Sequence, residues 1–221
     1  MHMDLVIDEG QRYGLEINFK KTVAINVHCE TELKQPTGEP VKIVEQAVYL
    51  GGLLCADAAA SPEVSRRIGE AKGAFFALQK CWSHANISRQ RKIEIYKACV
   101  VAKLMYGLET LWLLQNHLAR IDAFHVMCLR RILSIPCSYL SRVRNSAVLD
   151  RAREPLLSTV LQKRQVALYE SIARMPQDHV IRQLVCQPTS DQPRAWAVTC
   201  RRGRPKQQWA ACVWRLRAAA G

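Results

Sequence analysis

The stretch SPEVSRRIGEAKGAFFALQKCW, residues 61 to 82, decides the fold. Its first residues, Ser61 and Pro62, suit the start of a helix, because serine caps helices and proline is favoured in the first helical turn. The apolar residues then recur every three or four positions, as they do on one face of an α-helix: Val64, Ile68, Ala71, Phe75, Leu78 and Trp82. The segment therefore predicts an amphipathic helix about 30 Å long.

The same period continues through the rest of the chain. A second helix is predicted after a cap region at 86–88, and its apolar face holds Ile93, Tyr96, Val100, Leu104 and Leu108. A third is predicted up to Pro136, with Leu118, Ile121, Phe124, Cys128, Leu129 and Ile132 on one face. Shorter helices are expected at 146–153, 156–175 and 179–186, and a last one bears Trp209, Val213 and Leu216.

The residues before this helical part favour strands. LEINF at 15–19 alternates apolar and polar residues, VAINVHC at 23–29 repeats the alternation, and 41–54 continues it up to a double-glycine kink at Gly51 and Gly52. The sequence therefore predicts an α+β fold. We expect a small β piece at 1–56, a helical region at 57–135, and a helical C-terminal region at 136–221 that includes the basic run RRGRPK.

Composition excludes several classes of protein. The 221 residues are 49% hydrophobic and 23% charged, which is ordinary for a globular chain. The longest apolar run, at 104–114, is too short to span a bilayer, so no membrane span is expected. The N-terminus lacks the basic leader of a secretory signal, and the nine cysteines are scattered singly. We expect an intracellular protein with reduced, mostly buried thiols, in either the nucleus or the cytoplasm.

Charge is distributed unevenly along the chain. Residues 1–60 contain five Lys and Arg against nine Asp and Glu, a net charge of −4, whereas residues 61–221 contain 27 against ten, a net charge of +17. A positive field of this size favours a polyanionic partner, and nucleic acid is the commonest one inside cells. The alternative is a solvated basic surface without a specific partner.

Several short motifs occur in a suggestive order. They are Tyr13-Gly14-Leu15, the segment NFKKT at 18–22, Tyr49-Leu50-Gly51-Gly52, the basic helix from Ser61, Met105-Tyr106-Gly107, CLRRIL at 128–133, IARMP at 172–176 and RGRP at 202–205. Together they cover nearly the whole chain. This order resembles the reverse transcriptase of non-LTR (LINE-type) retrotransposons. The resemblance implies that 1–56 is the late part of the polymerase palm and 57–135 a thumb-like region.

The resemblance also implies what the chain lacks. In that family a hairpin with paired aspartates, of the form Y-A-D-D, lies upstream of the helix that ends in Tyr-Gly-Leu, and this sequence contains no such pair. We therefore assign no catalytic residue and leave open whether the chain is an enzyme. Mg²⁺ is expected for the full-length polymerases, whose chemistry uses two metal ions, but no cofactor is expected in this chain.

Binding residues also follow from the resemblance. It implies contacts of Lys20 and Lys21 with the incoming nucleotide, a primer grip at Tyr49, Leu50, Gly51 and Gly52, and contacts of Arg66, Arg67 and Lys72 with the template–primer backbone. The alternatives are a solvated strand end, a plain β-turn and a solvated helix face. Arg202, Arg204 and Lys206 lie in RRGRPK, which is either a minor-groove hook or a plain entry to the last helix.

Metal-binding patterns are weak. Asp4, Asp8 and Glu9 are acidic neighbours, but a surface face of the first helix explains them better than a catalytic site does. His125 with Cys128, and Cys81 with His84, have the spacing of paired ligands on a helix, yet neither pair shows zinc-finger spacing. Because Cys128 lies on the predicted apolar face, a core thiol is the favoured interpretation.

The resemblance thus implies a truncated RNA-directed DNA polymerase that is catalytically inactive by itself and retains affinity for nucleic acid. It also implies an RNA template and a DNA primer as partners, and the oligomeric state is not predicted. One alternative is a non-catalytic RNA- or DNA-binding accessory protein. Another is a gene fragment without a selected role.

Overall fold

The computed structural model of the chain describes residues 3–27, 29, 31–195 and 207–220. These residues form two compact units, Met1–Glu63 and Val64–Gly221. The fold is α+β and mostly helical, which confirms the predicted class. The division lies after Glu63, within the first helix of the helical part, whereas the sequence suggested boundaries after residues 56 and 135.

The first unit begins with a helix and a tight cap. Helix α1 spans Met3–Arg12, and Gly14 follows it with a positive φ of 70°. The amide of Leu15 donates to the carbonyl of Gly10, and the amide of Gly14 donates to that of Gln11, both at 3.0 Å. This is the Schellman arrangement, in which a left-handed glycine ends a helix. The helix end predicted at Tyr13-Gly14-Leu15 is thereby confirmed.

The strand predicted at 15–19 is absent, and that prediction was wrong. Residues 15–17 form no regular element, and the carbonyl of Asn18 accepts the amides of Lys21 and Thr22 in a turn. Leu15 is 66% exposed, so the alternating pattern buries little there. The physical reason is competition for backbone groups, because the helix cap and the Asn18 turn use amides that a strand would offer to a neighbour.

Two small pairs of strands complete the first unit. Strand β1, Val23–Ala24, lies parallel to β2, Lys42–Ile43. Strands β3, Gln46–Tyr49, and β4, Gly52–Cys55, are antiparallel and are joined by a two-residue turn at Leu50 and Gly51. Both turn residues have positive φ, 48° and 78°, as a type I′ hairpin requires. The turn expected around the double glycine is confirmed.

The second unit is built from helices. They are α2 Ser61–Ala77, which begins in the first unit, α3 Gln79–Ser83, α4 Arg89–Tyr96, a π-helical turn Lys97–Val101, α5 Ala102–Met105, a 3₁₀ turn Leu108–Thr110, α6 Gln115–Ile132, α7 Ser138–Ser141, α8 Asn145–Ala152, α9 Leu157–Ala173, α10 Val180–Val185 and α11 Trp209–Ala220. Backbone angles stay helical from α4 through α5. The single helix expected over 61–82 is interrupted at Leu78.

The predicted apolar faces form the core of the second unit. All five residues named for the second helix and all six named for the third are buried. Phe75 is fully buried, and the ring of Trp82 stacks on it with centroids 5.1 Å apart. The indole Nε1 of Trp82 donates to the carbonyl of Phe75 at 2.8 Å, so this large ring is both packed and hydrogen-bonded. The 3.6-residue period was therefore a sound guide here.

The last helix packs on α9. Tyr169 is fully buried between Trp209 and Trp214, with ring centroids 6.2 and 5.9 Å apart. Val213 and Cys186 are buried in the same cluster. Two indole hydrogen bonds join this region to the middle of the chain, from Trp209 to the carbonyl of Glu109 and from Trp112 to the side chain of Gln207.

The described cysteines are free thiols of mixed exposure. Cys128, Cys186 and Cys212 are buried, whereas Cys29, Cys99 and Cys137 are exposed. The expectation of mostly buried thiols was thus wrong. Within the described ranges, no helix combines the length and apolarity needed to cross a bilayer.

Candidate nucleic-acid interface

Charge separates between the two units. Met1–Glu63 contains five basic and ten acidic residues, a net charge of −5, and Val64–Gly221 contains 27 and nine, a net charge of +18. The second unit is therefore the one whose field would attract a polyanion.

Two of the three α2 residues that were expected to contact nucleic acid, Arg66 and Arg67, interact with other side chains of the protein instead. Arg66 pairs with Glu70 at 2.6 Å, a spacing of four residues that matches one helical turn. Arg67 lies 3.6 Å from the other oxygen of Glu70, and its guanidinium stacks over the ring of Tyr106 at 4.7 Å. Arg67 is only 5% exposed, so a solvated helix face, the alternative to a backbone contact, is wrong for this residue. Its flat guanidinium is stabilised by the ring, which lets the charge be buried.

Lys72 is the predicted α2 contact that remains on the surface. It is exposed and forms no ion pair with any residue that the structure describes. Four residues further on is Phe76, so the two side chains lie one above the other on the same face of the helix. Phe76 is 40% exposed, whereas its neighbour Phe75, which points about 100° away around the helix, is fully buried.

A cavity of about 620 Å³ opens beside Phe76. Its lining comes from the end of α2, from α6 and from the residues that follow α6, together with Asn145 at the start of α8. Two consecutive arginines, Arg130 and Arg131, contribute the charge. The apolar lining consists mainly of Phe75, Phe76, Val126, Met127, Ile135 and Pro136. No carboxylate lines the cavity among the described residues.

The two arginines of this cavity have different tasks. Arg130 is 7% exposed and donates to the carbonyls of Pro136 at 3.0 Å and Val143 at 2.7 Å, and to Oδ1 of Asn145 at 2.9 Å. It thereby ties the segment between α6 and α8 to the core. Arg131 is exposed, its guanidinium lies over one face of the Phe76 ring at 5.6 Å from the centroid, and it forms no ion pair with the described residues. Its donors are therefore the ones available to a ligand.

The predicted contacts of the first unit lie on turns. Lys20 and Lys21 are exposed in the turn that Asn18 closes. Tyr49 and Leu50, at the tip of the β3–β4 hairpin, are 65% and 77% exposed. Together with Gly51 and Gly52 they form the two-residue hairpin described above, a shape that fits both the primer grip and the plain β-turn that the sequence left open. Arg202, Arg204 and Lys206 lie outside the described residues.

Tyr96 on α4 and His125 on α6 form a buried polar pair that is part of the core. Tyr96 Oη lies 2.9 Å from His125 Nδ1, and both side chains are fully buried. Burial raises the pKa of Tyr96, so the phenol keeps its proton, and the tautomer of His125 decides which of the two groups donates the hydrogen bond. Burial also lowers the pKa of His125, against the opposing effect of the Glu154 carboxylate, so the imidazole is neutral at pH 7.

The zinc interpretation gains no support from these contacts. Burial raises the pKa of Cys128 to about 12, as is usual for a protonated thiol in an apolar core. In the second pair, His84 Nδ1 accepts the amide of Asn86 at 3.2 Å and is exposed. Within the part of the chain that is described, no group of three or more His, Cys, Asp or Glu residues is placed to hold a metal ion.

The comparisons with known proteins identify no relative. No protein-family model matches the chain, and no curated protein or solved structure matches it either.

Phe76, Arg130 and Arg131 were not predicted as members of one site. Phe76 stood beside Phe75 in a helix whose core face had already been assigned, and the two arginines belong to CLRRIL near the end of the third predicted helix. One available signal was the Phe-Phe pair itself. Adjacent residues on a helix point about 100° apart, so both rings cannot occupy the centre of one face.

Proposed function

We propose that this chain binds single- or double-stranded nucleic acid through its basic helical unit, mainly by contacts with the phosphate backbone. In this proposal it is a non-catalytic segment of a protein related to the reverse transcriptases of non-LTR retrotransposons. The observation that carries the proposal is the net charge of +18 on Val64–Gly221, beside −5 on Met1–Glu63. Exposed cations without carboxylate partners in the described part, such as Lys72 and Arg131, support it.

The expected binding is electrostatic. Phosphate contacts by Lys and Arg release counterions, so affinity falls as salt rises, and they carry no base preference of their own. Non-specific affinities of this type are about 10⁻⁴ to 10⁻⁶ M at physiological salt. Fluorescence anisotropy of a labelled oligonucleotide, titrated with the whole chain at several salt concentrations, tests the proposal. Absence of binding at low salt, or binding that does not weaken as salt rises, would overturn it.

A matched pair of variants locates the interface. Lys72 and Lys20 are both exposed lysines, one in the basic unit and one in the acidic unit. Lys72→Gln should weaken binding and lower the slope of log K against log salt by about one, as loss of one phosphate contact does. Lys20→Gln should leave that slope unchanged. The opposite result would move the interface to the first unit.

Catalysis requires a separate assay. Nucleotidyl transfer needs clustered carboxylates to hold two divalent ions, and this sequence contains no adjacent pair of aspartates. We expect no primer extension by the chain with either Mg²⁺ or Mn²⁺. Extension that Asp4→Asn or Asp8→Asn abolishes would show that the first helix supplies a catalytic carboxylate, and would refute the non-catalytic assignment.

A further inference from the structure

We propose that the cavity between α2 and α6 takes one unstacked base, together with its phosphate, from single-stranded nucleic acid. The inference rests on the proposed function and makes it more specific, since it adds a stacking site to a backbone interface. The base would lie on Phe76 and Met127, and the phosphate would contact Arg131.

The size and walls of the cavity suit such a unit. Its volume of about 620 Å³ lies within the range of about 300 to 1,000 Å³ that is usual for small-ligand sites. Phe75 forms a fixed floor, because it is fully buried and held between the stacked ring of Trp82 and the edge of Tyr96. Phe76 and Met127, in contrast, are 40% and 42% exposed. They can therefore contact a ligand without any rearrangement of the core.

The charge of the site selects an anion. Arg130 brings a buried positive charge to the wall, and its donors are already used by the carbonyls of Pro136 and Val143. Arg131 adds an exposed guanidinium beside Phe76, and Lys72 lies one helical turn before that ring. No carboxylate among the described residues lines the cavity to balance these charges. The cavity thus carries a positive field with donors available at its rim.

The apolar wall and the positive charge together restrict the kinds of ligand that fit the cavity. Inorganic phosphate would satisfy Arg131 but leave the apolar wall in water, and an uncharged apolar ligand would leave the guanidinium unpaired. A flat ring joined to a phosphate satisfies both. Aromatic side chains beside cations bind single-stranded nucleic acid in this way, because every base has a face that stacks.

Single strands should be preferred over duplexes at this cavity. A paired base must leave its stack before it can enter, and that costs a few kcal/mol. A backbone interface alone would not discriminate in this direction, since a duplex has the higher charge density. The cavity therefore makes a prediction that the charge of the unit does not.

The test compares three ligands with the whole chain. They are a labelled 12-nucleotide single strand, the same strand with several abasic sites, and its duplex, all measured by fluorescence anisotropy at low and moderate salt. We expect the intact single strand to bind more tightly than the abasic one. Phe76→Ala should weaken binding of the intact strand by about 5- to 150-fold, as loss of one stacked base does, and should barely change binding of the duplex.

Two further variants separate the ring from its fold and its charge. Phe76→Leu keeps an apolar side chain at this half-exposed position but removes the stacking face. This variant should lose the preference for the intact strand over the abasic strand, while its circular dichroism spectrum stays unchanged. Arg131→Gln should weaken binding of all strands and lower the salt slope by about one. The matched control is Arg151→Gln, an exposed arginine on α8 that does not line the cavity, which should leave the preference for the intact strand over the abasic strand intact.

The outcomes distinguish this inference from the proposed function. If all strands bind but Phe76→Ala leaves the difference between intact and abasic strands unchanged, the stacking site is refuted and backbone binding stands. If no strand binds at low salt, both fall. If dodecyl phosphate occupies the cavity in a competition assay and deoxyadenosine monophosphate does not, the site belongs to a lipid-like anion and the inference is overturned.

Discussion

Replacement of Arg130 by methionine should destabilise the second unit through the segment that follows α6. The substitution keeps an unbranched apolar stem and removes every donor of the guanidinium. Three well-formed hydrogen bonds are lost, to the carbonyls of Pro136 and Val143 and to Asn145, together with a longer one of 3.4 Å to Ser141. Pro136, Ser141 and Val143 belong to the connection between α6 and α8, and Asn145 begins α8, so the attachment of this connection to the core is lost as well.

The magnitude follows from the acceptors that are left behind. A buried acceptor that loses its donor costs about 1–3 kcal/mol, and two carbonyls are orphaned here. Pro136 is exposed and Val143 half-buried, so water can replace part of what is lost. Removal of a buried charge also returns some of its desolvation cost. We therefore expect the free energy of unfolding to fall by about 2–4 kcal/mol.

Urea unfolding followed by circular dichroism at neutral pH measures this loss. Arg131→Met is the matched control, because Arg131 is next to Arg130 in the chain but is exposed. Surface substitutions usually change stability by less than about 0.5 kcal/mol. Amide hydrogen exchange should show that residues 136–145 lose protection in the Arg130 variant before the rest of the unit does. A loss below about 1 kcal/mol, or equal to that of the control, would refute the idea that Arg130 anchors this segment.

Three further predictions concern stability. Amides of the first unit should exchange well before those of α4 to α6, because its strands are only two or four residues long; equal protection in hydrogen exchange would contradict this. Because the pKa of His125 is lowered by folding, its contribution to stability is complete above about pH 6.5 and declines below that pH by up to about 1.4 kcal/mol per pH unit. The free energy of unfolding, measured in urea, should therefore be lower at about pH 5.5 than at about pH 7.5, and His125→Gln should reduce this difference. Gly107→Ala should lower the free energy of unfolding by about 1–2 kcal/mol, because Gly107 has a φ of 73°. Gly73→Ala, in the middle of α2 with open space around it, should instead raise it by about 0.5–1 kcal/mol. Thermal or urea unfolding of the two variants measures both effects, and equal effects would rule out backbone strain at Gly107.

The helices could be predicted from the sequence because their signal is local. Ile93, Tyr96 and Val100 follow the helical period, and each is buried where the period places it. The same local argument failed at 15–19, because an alternating segment becomes a strand only when another strand takes its hydrogen bonds. Here the backbone amides of Gly14 and Leu15 bond to the end of α1, and the amides of Lys21 and Thr22 bond to the carbonyl of Asn18, so they are not offered to a neighbouring strand.

The candidate site was only partly accessible to sequence reasoning. Lys72 was found, because an exposed lysine on an amphipathic helix is a local feature. Arg67 was misplaced, since the ring that covers it belongs to Tyr106, 39 positions further on, and spacing along one helix cannot reveal that. The cavity depends in the same way on the approach of α2 to the end of α6. Such contacts become visible only when the helices are packed.

The two indole hydrogen bonds that fasten α11 have a consequence for synthesis on the ribosome. Trp209 is made 100 residues after Glu109, whose carbonyl it binds, and Gln207 is made 95 residues after Trp112. At a translation rate of about 5–20 residues per second, Glu109 and Trp112 wait roughly 5–20 s for these partners. Tyr169 is made 40 residues before Trp209, so for roughly the last 2–8 s of that interval it lacks the helix that covers it. The nascent chain thus presents an aromatic surface to the crowded exit site, where a chaperone that binds exposed rings would protect it until α11 closes.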